Sequence, residues 1–464
     1  MAERESRVTG GWRAKYALLA FAAALATAPA RAQDAGPDAN GITSPSIATS
    51  LPNNGDPGGI RKRLAEHGVT YNLIYTNDVL SNLAGGLKRG TIDQGKLEVQ
   101  LSVDLEKFAG WKGLTFYANG FDIRNTGRIR RDYVGGMNTI AAIEAVPTTR
   151  LSELWLEQKF WDGKASVRFG QLVADNEFFY SDTSQLFLQS DWPTITAVNL
   201  PSGAPAYPLS TPGLRLKFEP NQNISLLLAM FNGDPAGPGP GDEQIRNHYG
   251  LNFRVTDPPL FVGEVQFKNN REKDSKGLAT MLKLGGWAHT GTFDDKRFGI
   301  DGRSLADPAS AGIPLKHRGN AGVYGVIDQQ LYRPAGAGAD GGISVFALGS
   351  VTSSDRNLVD VFVSGGIVFA GMIPGRPDDK FGASFLYARF SDNIRGFDAD
   401  QIAFTGLPLQ VRDYELNLEL TYSAQVVPGW TIQPDFQYIV HPTVGDQPSN
   451  RYAMVAGVRS IWKW

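Results

Sequence analysis

The feature that most constrains the fold is a two-residue alternation of apolar and polar side chains. Its clearest example runs from Lys96 to Leu105, where every second residue, beginning with Leu97, is Leu or Val. The residues between them are charged or polar. Because successive side chains of a strand point to opposite faces, this pattern indicates a strand with a different solvent on each side. A soluble β-sandwich also alternates, so the recurrence of the pattern has to decide.

The alternation recurs along nearly the whole chain in segments of about ten residues, the length that crosses a bilayer at a steep tilt. Aromatic residues stand towards the segment ends, as a girdle at a membrane interface requires. The pattern therefore predicts a transmembrane barrel. The predicted strands are 69–76, 96–105, 113–121, 150–160, 164–171, 213–218, 223–231, 247–255, 260–267, 278–288, 320–332, 342–351, 359–369, 380–391, 412–423, 430–440 and 451–463.

These segments number seventeen, whereas a bacterial single-chain barrel has an even number of strands. Short turns fix the periplasmic side at 162–163 and 219–222 in the first half, and at 374–378 and 427–429 in the second. The periplasmic side fixed from the first half of the chain conflicts with the side fixed from the second half somewhere between 219 and 288. One predicted strand in that range is therefore split or false. We predict an all-β fold: an antiparallel transmembrane β-barrel of about 16 strands, wide enough for a water-filled lumen, with a short N-terminal helix and a long inward-folded loop.

The N-terminus has the pattern of a secretory signal peptide, residues 1–32. Arg13 and Lys15 precede the apolar run 17–26, and Ala30-Arg31-Ala32 provides a small-residue cleavage site. The alternative is a retained anchor helix, but the run is short for a span. No later apolar stretch approaches 18 residues, so insertion into a membrane requires strands. Residues 33–68 are predicted to be a flexible segment with a short helix near 59–68, plugging the lumen or extending into the periplasm, and 69–464 the barrel domain.

Composition and motifs argue against several other classes of protein. Lys and Arg number 45 against 47 Asp and Glu, and there is no Cys, so we expect no nucleic-acid partner and no thiolate site. The five His residues lack ligand spacing, and we expect no metal and no cofactor. The Gly-rich stretch 336–341 links two predicted strands and opens no helix, so it is read as a turn. Glu415 and Glu419 would lie about 13 Å apart, too far for a glycosidase pair. We therefore expect no enzymatic activity.

The longest gap in the pattern, residues 172–212, is the third outward-facing loop and contains acids and aromatics. Long structureless connections are usually functional. Folded into the lumen, this loop would narrow the channel; the alternative is packing on the rim. Aromatic rings stack on sugar rings, and carboxylates bond hydroxyls. The loop residues predicted to contact solute are Asp175, Glu177, Asp182, Asp191 and Trp192.

Alternation also predicts which side chains of the barrel wall face the lumen. Their mixed signs suit neutral polyhydroxy solutes better than a ring of one sign, which would select ions. The wall residues predicted to line the pore and contact solute are Glu98, Glu153, Trp155, Glu157, Arg168, Arg215, Lys217 and Glu415. The same alternation places Asp104, Arg254, Glu264, Lys283 and Glu419 on the lumen side.

The order of several motifs resembles the carbohydrate-selective porin (OprB) family over nearly all of the chain after the signal peptide. The matching stretches are 61–68 with Tyr71, 83–86, 168–171 with 176–178, 322–324 with 328–329, 371–376 with Asp379, and 433–439 with 441–442. The resemblance implies a sixteen-stranded outer-membrane porin that admits glucose and other monosaccharides by passive diffusion. Trp464, where Phe is commoner, and Trp462 resemble the signal read by the barrel-assembly machinery.

Sugar-selective diffusion is accordingly the predicted function. The alternatives are a general or anion-preferring porin, a barrel hydrolase, and a structural or adhesive barrel with a plugged lumen. The expected partners are small sugars as solutes, outer-membrane lipid and lipopolysaccharide, and the barrel-assembly machinery. The chain is expected to be a monomer or a homotrimer.

Overall fold

The computed structural model describes residues 37–189, 193–271, 275–442 and 451–464. In this part of the chain sixteen antiparallel strands form one closed barrel. The predicted signal peptide, 1–32, lies outside the described residues. The strands are β1 (Val69–Gly85), β2 (Gly90–Asp104), β3 (Leu114–Arg124), β4 (Thr148–Phe160), β5 (Ala165–Leu172), β6 (Thr211–Asn221), β7 (Ile224–Phe231), β8 (Leu260–Asn269), β9 (Thr280–Gly299), β10 (Pro314–Tyr332), β11 (Gly342–Thr352), β12 (Val359–Ala370), β13 (Lys380–Phe390), β14 (Tyr414–Val427), β15 (Trp430–Val440) and β16 (Tyr452–Lys463).

Each strand pairs with its neighbours in the chain, and β1 pairs with β16 to close the barrel. Closure leaves no free sheet edge, which hydrocarbon would not tolerate. The connections at one end are short, as at 428–429, and several at the other end are long, as at 173–210. We call these the short-turn end and the long-loop end. The predicted strand number of sixteen is confirmed.

The predicted strand 247–255 is wrong, and it is the false strand that the conflict between 219 and 288 required. This segment belongs to the loop between β7 and β8 and forms no ladder. It lies beside the outer end of β4, where the Leu151 amide donates to the Tyr249 carbonyl at 3.0 Å. In this loop segment every second side chain is apolar and exposed, as Tyr249 and Leu251 are, but no neighbouring strand in the described part of the chain pairs with its backbone. Arg254 is consequently not a wall residue and instead pairs with Asp257 at 2.7 Å.

The predicted N-terminal helix is present, and the residues before it pack against the short-turn end. Arg61 is buried and donates to the carbonyls of Gly41 and Tyr71 at 3.1 and 2.8 Å. The backbone of Ile47 passes so close to Gly429, in the turn between β14 and β15, that a Cβ there would lie 2.2 Å from the Ile47 nitrogen. The helices are α1 (Ile60–Glu66), α2 (Leu105–Ala109), α3 (Thr194–Ala197), α4 (Glu243–Arg246) and α5 (Asp392–Thr405). None of the helices in the described ranges is both long and apolar enough to cross a membrane.

The outer surface has an apolar band with an aromatic girdle at each end. Leu284 is 71% exposed and Val323 is 59% exposed, as expected of side chains solvated by lipid. At the short-turn end Trp462 stacks between Tyr75 and Trp430, with ring centroids 5.7 and 6.0 Å apart. At the long-loop end Tyr387 and Tyr414 contact each other with tilted rings, and Tyr438 stacks on Tyr452.

Candidate channel constriction

The third long loop, residues 173–210, folds into the barrel, as the sequence predicted. Its two legs are joined at the root, where the Ala174 amide donates to the Pro205 carbonyl at 2.5 Å. From β5 the loop reaches walls on the far side of the barrel. There, carboxylates of β8, β10 and β14 accept hydrogen bonds from backbone amides of the loop. The bare barrel would be a wide tube, and this loop narrows it.

An Arg–Glu cluster holds the near side of the third loop. Glu177, from the loop, pairs with Arg215 of β6 at 2.6 Å and with Arg168 of β5 at 3.0 Å. Glu157 of β4 pairs with the same two arginines, each at 2.9 Å. The Arg168 guanidinium also lies 3.9 Å from the centroid of the Trp155 ring. Two carboxylates and two guanidinium groups thus neutralise one another, and Arg215 is almost completely buried.

Aromatic stacking and a lysine hold the middle of the third loop. Phe179 stacks on Tyr324 of β10 with ring centroids 3.6 Å apart. The Phe179 amide and the Tyr324 hydroxyl both donate to Glu264 of β8, at 3.2 and 2.5 Å. Lys283 of β9 donates to the Tyr180 carbonyl at 2.9 Å and lies over its ring. Lys283 and Glu264 therefore do face the lumen, as alternation predicted, but they bind the loop.

Two carboxylates fix the far part of the third loop. Asp328 of β10 accepts hydrogen bonds from the Ser181 hydroxyl and from the Thr183 amide, the latter at 3.1 Å. Glu419 of β14 accepts from the amides of Leu188 and Gln189 at 2.6 and 3.2 Å. A carboxylate that accepts two amides fixes both the position and the direction of the backbone. The loop is therefore held on three sides of the lumen.

A second loop, residues 125–147, also enters the lumen, which the sequence analysis did not predict. Glu415 of β14 is fully buried and accepts from the amides of Met137 and Asn138 at 2.8 and 2.7 Å. The Ala142 amide donates to the Leu188 carbonyl at 2.6 Å, so the two inward loops contact each other. Glu415, predicted to contact solute, instead anchors this loop. The constriction is thus built from two loops.

A cavity of about 190 Å³ remains between these loops and the wall of β2–β4. Its lining combines charged, amide and aromatic side chains. Glu98 pairs with Lys96 at 3.1 Å and accepts from the Asn119 amide group at 3.0 Å. The lining residues are Lys96, Glu98, Asn119, Phe121, Ala142, Ser152, Val173, Asp175, Asn176, Phe178, Phe179, Tyr180, Gln185, Pro193 and Tyr207.

Asp175 belongs to both the third loop and this cavity. Its Oδ2 accepts a hydrogen bond from the Tyr207 amide at 2.8 Å. Burial raises the pKa of Asp175 to about 6, although the Tyr207 amide favours the charged form. This carboxyl therefore changes its charge in a mildly acidic range.

Most of the predicted site residues fall into four groups. Glu98 and Asp175 line the cavity. Glu157, Arg168, Glu177 and Arg215 form one charged cluster, and Trp155 stacks on it. Other predicted residues lie in the interior but have protein partners: Glu153 accepts from Asn176 at 2.7 Å, and Asp182 pairs with Arg271 at 2.6 Å. Asp191 and Trp192 lie outside the described residues.

Three further predictions concern residues at the short-turn end. Lys217 pairs with Glu219 at 3.2 Å, close to the turn after β6 and away from the cavity. Asp104 caps α2 by accepting from the Glu106 and Lys107 amides, so it is a turn residue at the end of β2. Trp464 joins the sheet through backbone bonds to Leu73 at 2.8 and 3.0 Å. Its role as an assembly signal stays a prediction.

Several cavity residues were not predicted. Lys96 and Asn119 stand on lumen-facing positions, and the alternation could have found them. Tyr207 could not have been found in this way, because it lies in the Pro-rich part of the loop, without periodicity. Its ring reaches the cavity and lies 4.9 Å from the Lys96 ammonium.

Comparison with known sequences matches one family over most of the chain. The profile of the family described as "Carbohydrate-selective porin, OprB family" matches residues 88–464. Porin B of Pseudomonas aeruginosa is 28% identical over 430 residues, covering 87% of this chain and 89% of that protein. A protein described as "Putative porin QuiX", of Acinetobacter baylyi, is 21% identical over 410 residues, covering 84% and 88%.

Comparison with solved structures finds the same architecture. The high-pH structure of Pseudomonas putida OprB superposes with a TM-score of 0.78 at 22% identity, covering 88% of this chain and 97% of that one. The low-pH structure of the same protein gives a TM-score of 0.52 at 18% identity, covering 88% and 96%. At such identities the likeness concerns the fold.

Proposed function

The chain belongs to the carbohydrate-selective porin family, OprB, and from this premise we propose that glucose and other monosaccharides diffuse passively through the cavity between the inward loops and the wall of β2–β4. It is a porin of the bacterial outer membrane, and both its family and its fold are those of channel proteins. The long-loop end then faces the medium and the short-turn end the periplasm.

The observation that carries the proposed route is the chemistry of the cavity lining. The acids next to it have cationic or amide partners, as Glu98 has Lys96, and the Arg–Glu cluster beside it is neutral as a whole. Such a passage provides hydrogen-bonding groups but no ring of side chains with the same charge among the described residues. A ring of that kind would favour ions. Neutral polyhydroxy solutes fit this combination.

Individual contacts follow from the geometry of the lining. Glu98 can accept hydrogen bonds from sugar hydroxyls, and Asn119 can donate or accept them. Tyr207 and Phe121 offer aromatic faces and edges, with ring centroids 5.3 Å apart. Arg168 and Glu177 remain proposed contacts along the same route, and Asp191 and Trp192, which lie outside the described residues, remain proposed contacts from the sequence alone.

The test is uptake of sugar by liposomes that contain the purified chain, together with block of single-channel current by glucose. We expect swelling with monosaccharides above that of empty liposomes. Glu98→Gln should weaken glucose block by about tenfold, the effect of one hydrogen bond to a charged acceptor. The matched control is Glu219→Gln, which changes a wall glutamate near the short-turn end that pairs with Lys217.

Three results would contradict all or part of the proposal. Absence of swelling with glucose would reject sugar diffusion. Marked ion selectivity with a current insensitive to glucose would instead identify a general or anion-preferring porin. An equal loss of block in both glutamate variants would reject the proposed route while leaving sugar diffusion intact.

A further inference from the structure

The outer face of strands β8 to β11 carries an apolar groove of about 440 Å³. Its floor is formed by small residues paired across the strands, with Gly263 opposite Gly286 and Ala288 opposite Ala321. Phe261, Val323 and Val351, each more than a third exposed, form its walls. Large outward side chains, Leu284 and Ile327 among them, flank this depression on the neighbouring positions of β9 and β10.

The fold does not require the small residue at the centre of this groove. Gly263 has no left-handed backbone angle, and a Cβ added there would meet its nearest atoms at 3.9 Å, an ordinary contact. By contrast, the inward-facing Gly285 is required, because a Cβ there would lie 2.2 Å from the Tyr324 ring. Packing inside the barrel therefore explains Gly285 but leaves the depression at Gly263 unexplained.

A group of cations lies on the same outer face, beyond the groove at the long-loop end. Arg318 is exposed and pairs with Thr292, an outward-facing position of β9, because the register shifts at Gly319. Lys316 lies opposite Asp294, also on the outer face, and its ammonium forms an ion pair with that carboxylate; Lys296 stands two residues after Asp294 on β9. Cross-strand partners share a face of the sheet. Three cations therefore face outward with one carboxylate, Asp294, among them.

The height of these cations matches the edge of the hydrocarbon layer. On β10 the outward positions from Leu331 to Ala321 are apolar except for Gln329, and Arg318 is the first cation beyond them. Ten steps of about 3.3 Å at a tilt of about 45° rise about 23 Å, close to the height of about 25 Å expected of an apolar band. Arg318 thus lies at the outer interface, about 10 Å along the strand from the groove floor at Ala321.

We propose that this face binds lipid A, the phosphorylated anchor of lipopolysaccharide. One acyl chain occupies the groove, and a phosphate lies against Arg318 and Lys316. The side of the membrane selects this lipid, because the groove opens below the long-loop end, which contacts the lipopolysaccharide leaflet of the outer membrane. The complementarity of cations with phosphate and of a smooth groove with a saturated chain supports one bound molecule. The proposal depends on the location in the outer membrane and is independent of the transported solute.

The experiment measures binding of purified lipid A to the folded, lipid-free full chain in detergent, by native mass spectrometry. We expect one tightly bound molecule per barrel. Replacing Arg318 and Lys316 together by Gln should weaken binding by about thirtyfold, and dephosphorylated lipid A should bind the unchanged chain equally weakly. Ala321→Phe, which fills the groove, should weaken binding with both cations still present.

Two matched variants serve as controls. Arg303→Gln removes an exposed cation from the turn between β9 and β10, and Ala456→Phe adds a ring to the outer face of β16; both should bind lipid A normally. Equal binding by all variants, or preference for phosphatidylglycerol over lipid A, would overturn the proposal. The proposal would also be overturned if the chain formed an oligomer without lipid A and Ala321→Phe converted that oligomer to monomers. In that case the groove would contact a second copy of the chain.

Discussion

Replacing Asp328 by Ala should release the part of the third loop that crosses the lumen. In the structure this buried carboxylate accepts hydrogen bonds from the Ser181 hydroxyl, from the Thr183 amide at 3.1 Å, and from the Asp182 amide at 3.3 Å. These donors stand immediately before and within the helical turn Thr183–Leu186. No other wall residue receives hydrogen bonds from three consecutive residues of the loop among those described.

The expected magnitude follows from the number of these bonds. A hydrogen bond to a charged group contributes about 1.5–3 kcal/mol net. Counting the Ser181 and Thr183 bonds fully, and the longer Asp182 bond not at all, gives about 3–6 kcal/mol lost in the free energy of local opening. At about 1.4 kcal/mol per factor of ten, the open population of this segment should rise by roughly a hundredfold to ten-thousandfold. The barrel itself should remain folded, because its ladders are unchanged.

Hydrogen exchange of the amides at 182–186 measures this opening directly, and single-channel recording should show increased current noise. Asp328→Asn retains one acceptor oxygen and should have a smaller effect. The control is Asp360→Ala, which removes an equally buried wall aspartate whose partner is Arg389 on the neighbouring strand. Exchange at 182–186 as slow as in the unchanged chain would refute the view that Asp328 holds the loop.

Two further predictions concern the root of the third loop. Arg215→Met should leave Glu157 and Glu177 without their most buried partner and cost roughly 3–5 kcal/mol, while Arg215→Lys should restore part of the loss; thermal unfolding followed by circular dichroism measures both. Asp175 should be neutral below pH 6 and charged above it, because burial raises its pKa to about 6. Since the folded-state pKa is raised, the stability that the neutral carboxyl provides is lost as the pH rises through 6. Cation selectivity, measured as a reversal potential, should therefore increase from pH 5 to pH 7. Asp175→Asn is the control and should show no change over this range. A reversal potential of the unchanged chain that is the same at pH 5 and pH 7 would contradict this reasoning.

The sequence by itself determined the barrel, because a side-chain period of two reports the two solvents on either side of each strand. The patterns at 96–105 and 412–423 predicted strands that the structure contains as Gly90–Asp104 and Tyr414–Val427. The same logic failed at 247–255, where alternating exposure occurs without a pairing strand. Alternation records the environment of side chains, whereas a strand also needs a neighbour for its backbone hydrogen bonds.

Sequence also identified the loop that enters the lumen, through its length and lack of periodicity, but it did not determine what the lumen-facing residues do. Glu415 and Glu419 follow the same rhythm as Glu98, yet the first two accept loop amides and Glu98 lines the cavity. Their distinct roles come from contacts between residues more than two hundred positions apart, such as Leu188 and Glu419. Local periodicity carries no information about such contacts, and only the closed tertiary structure decides which polar groups bind the protein and which remain for a solute.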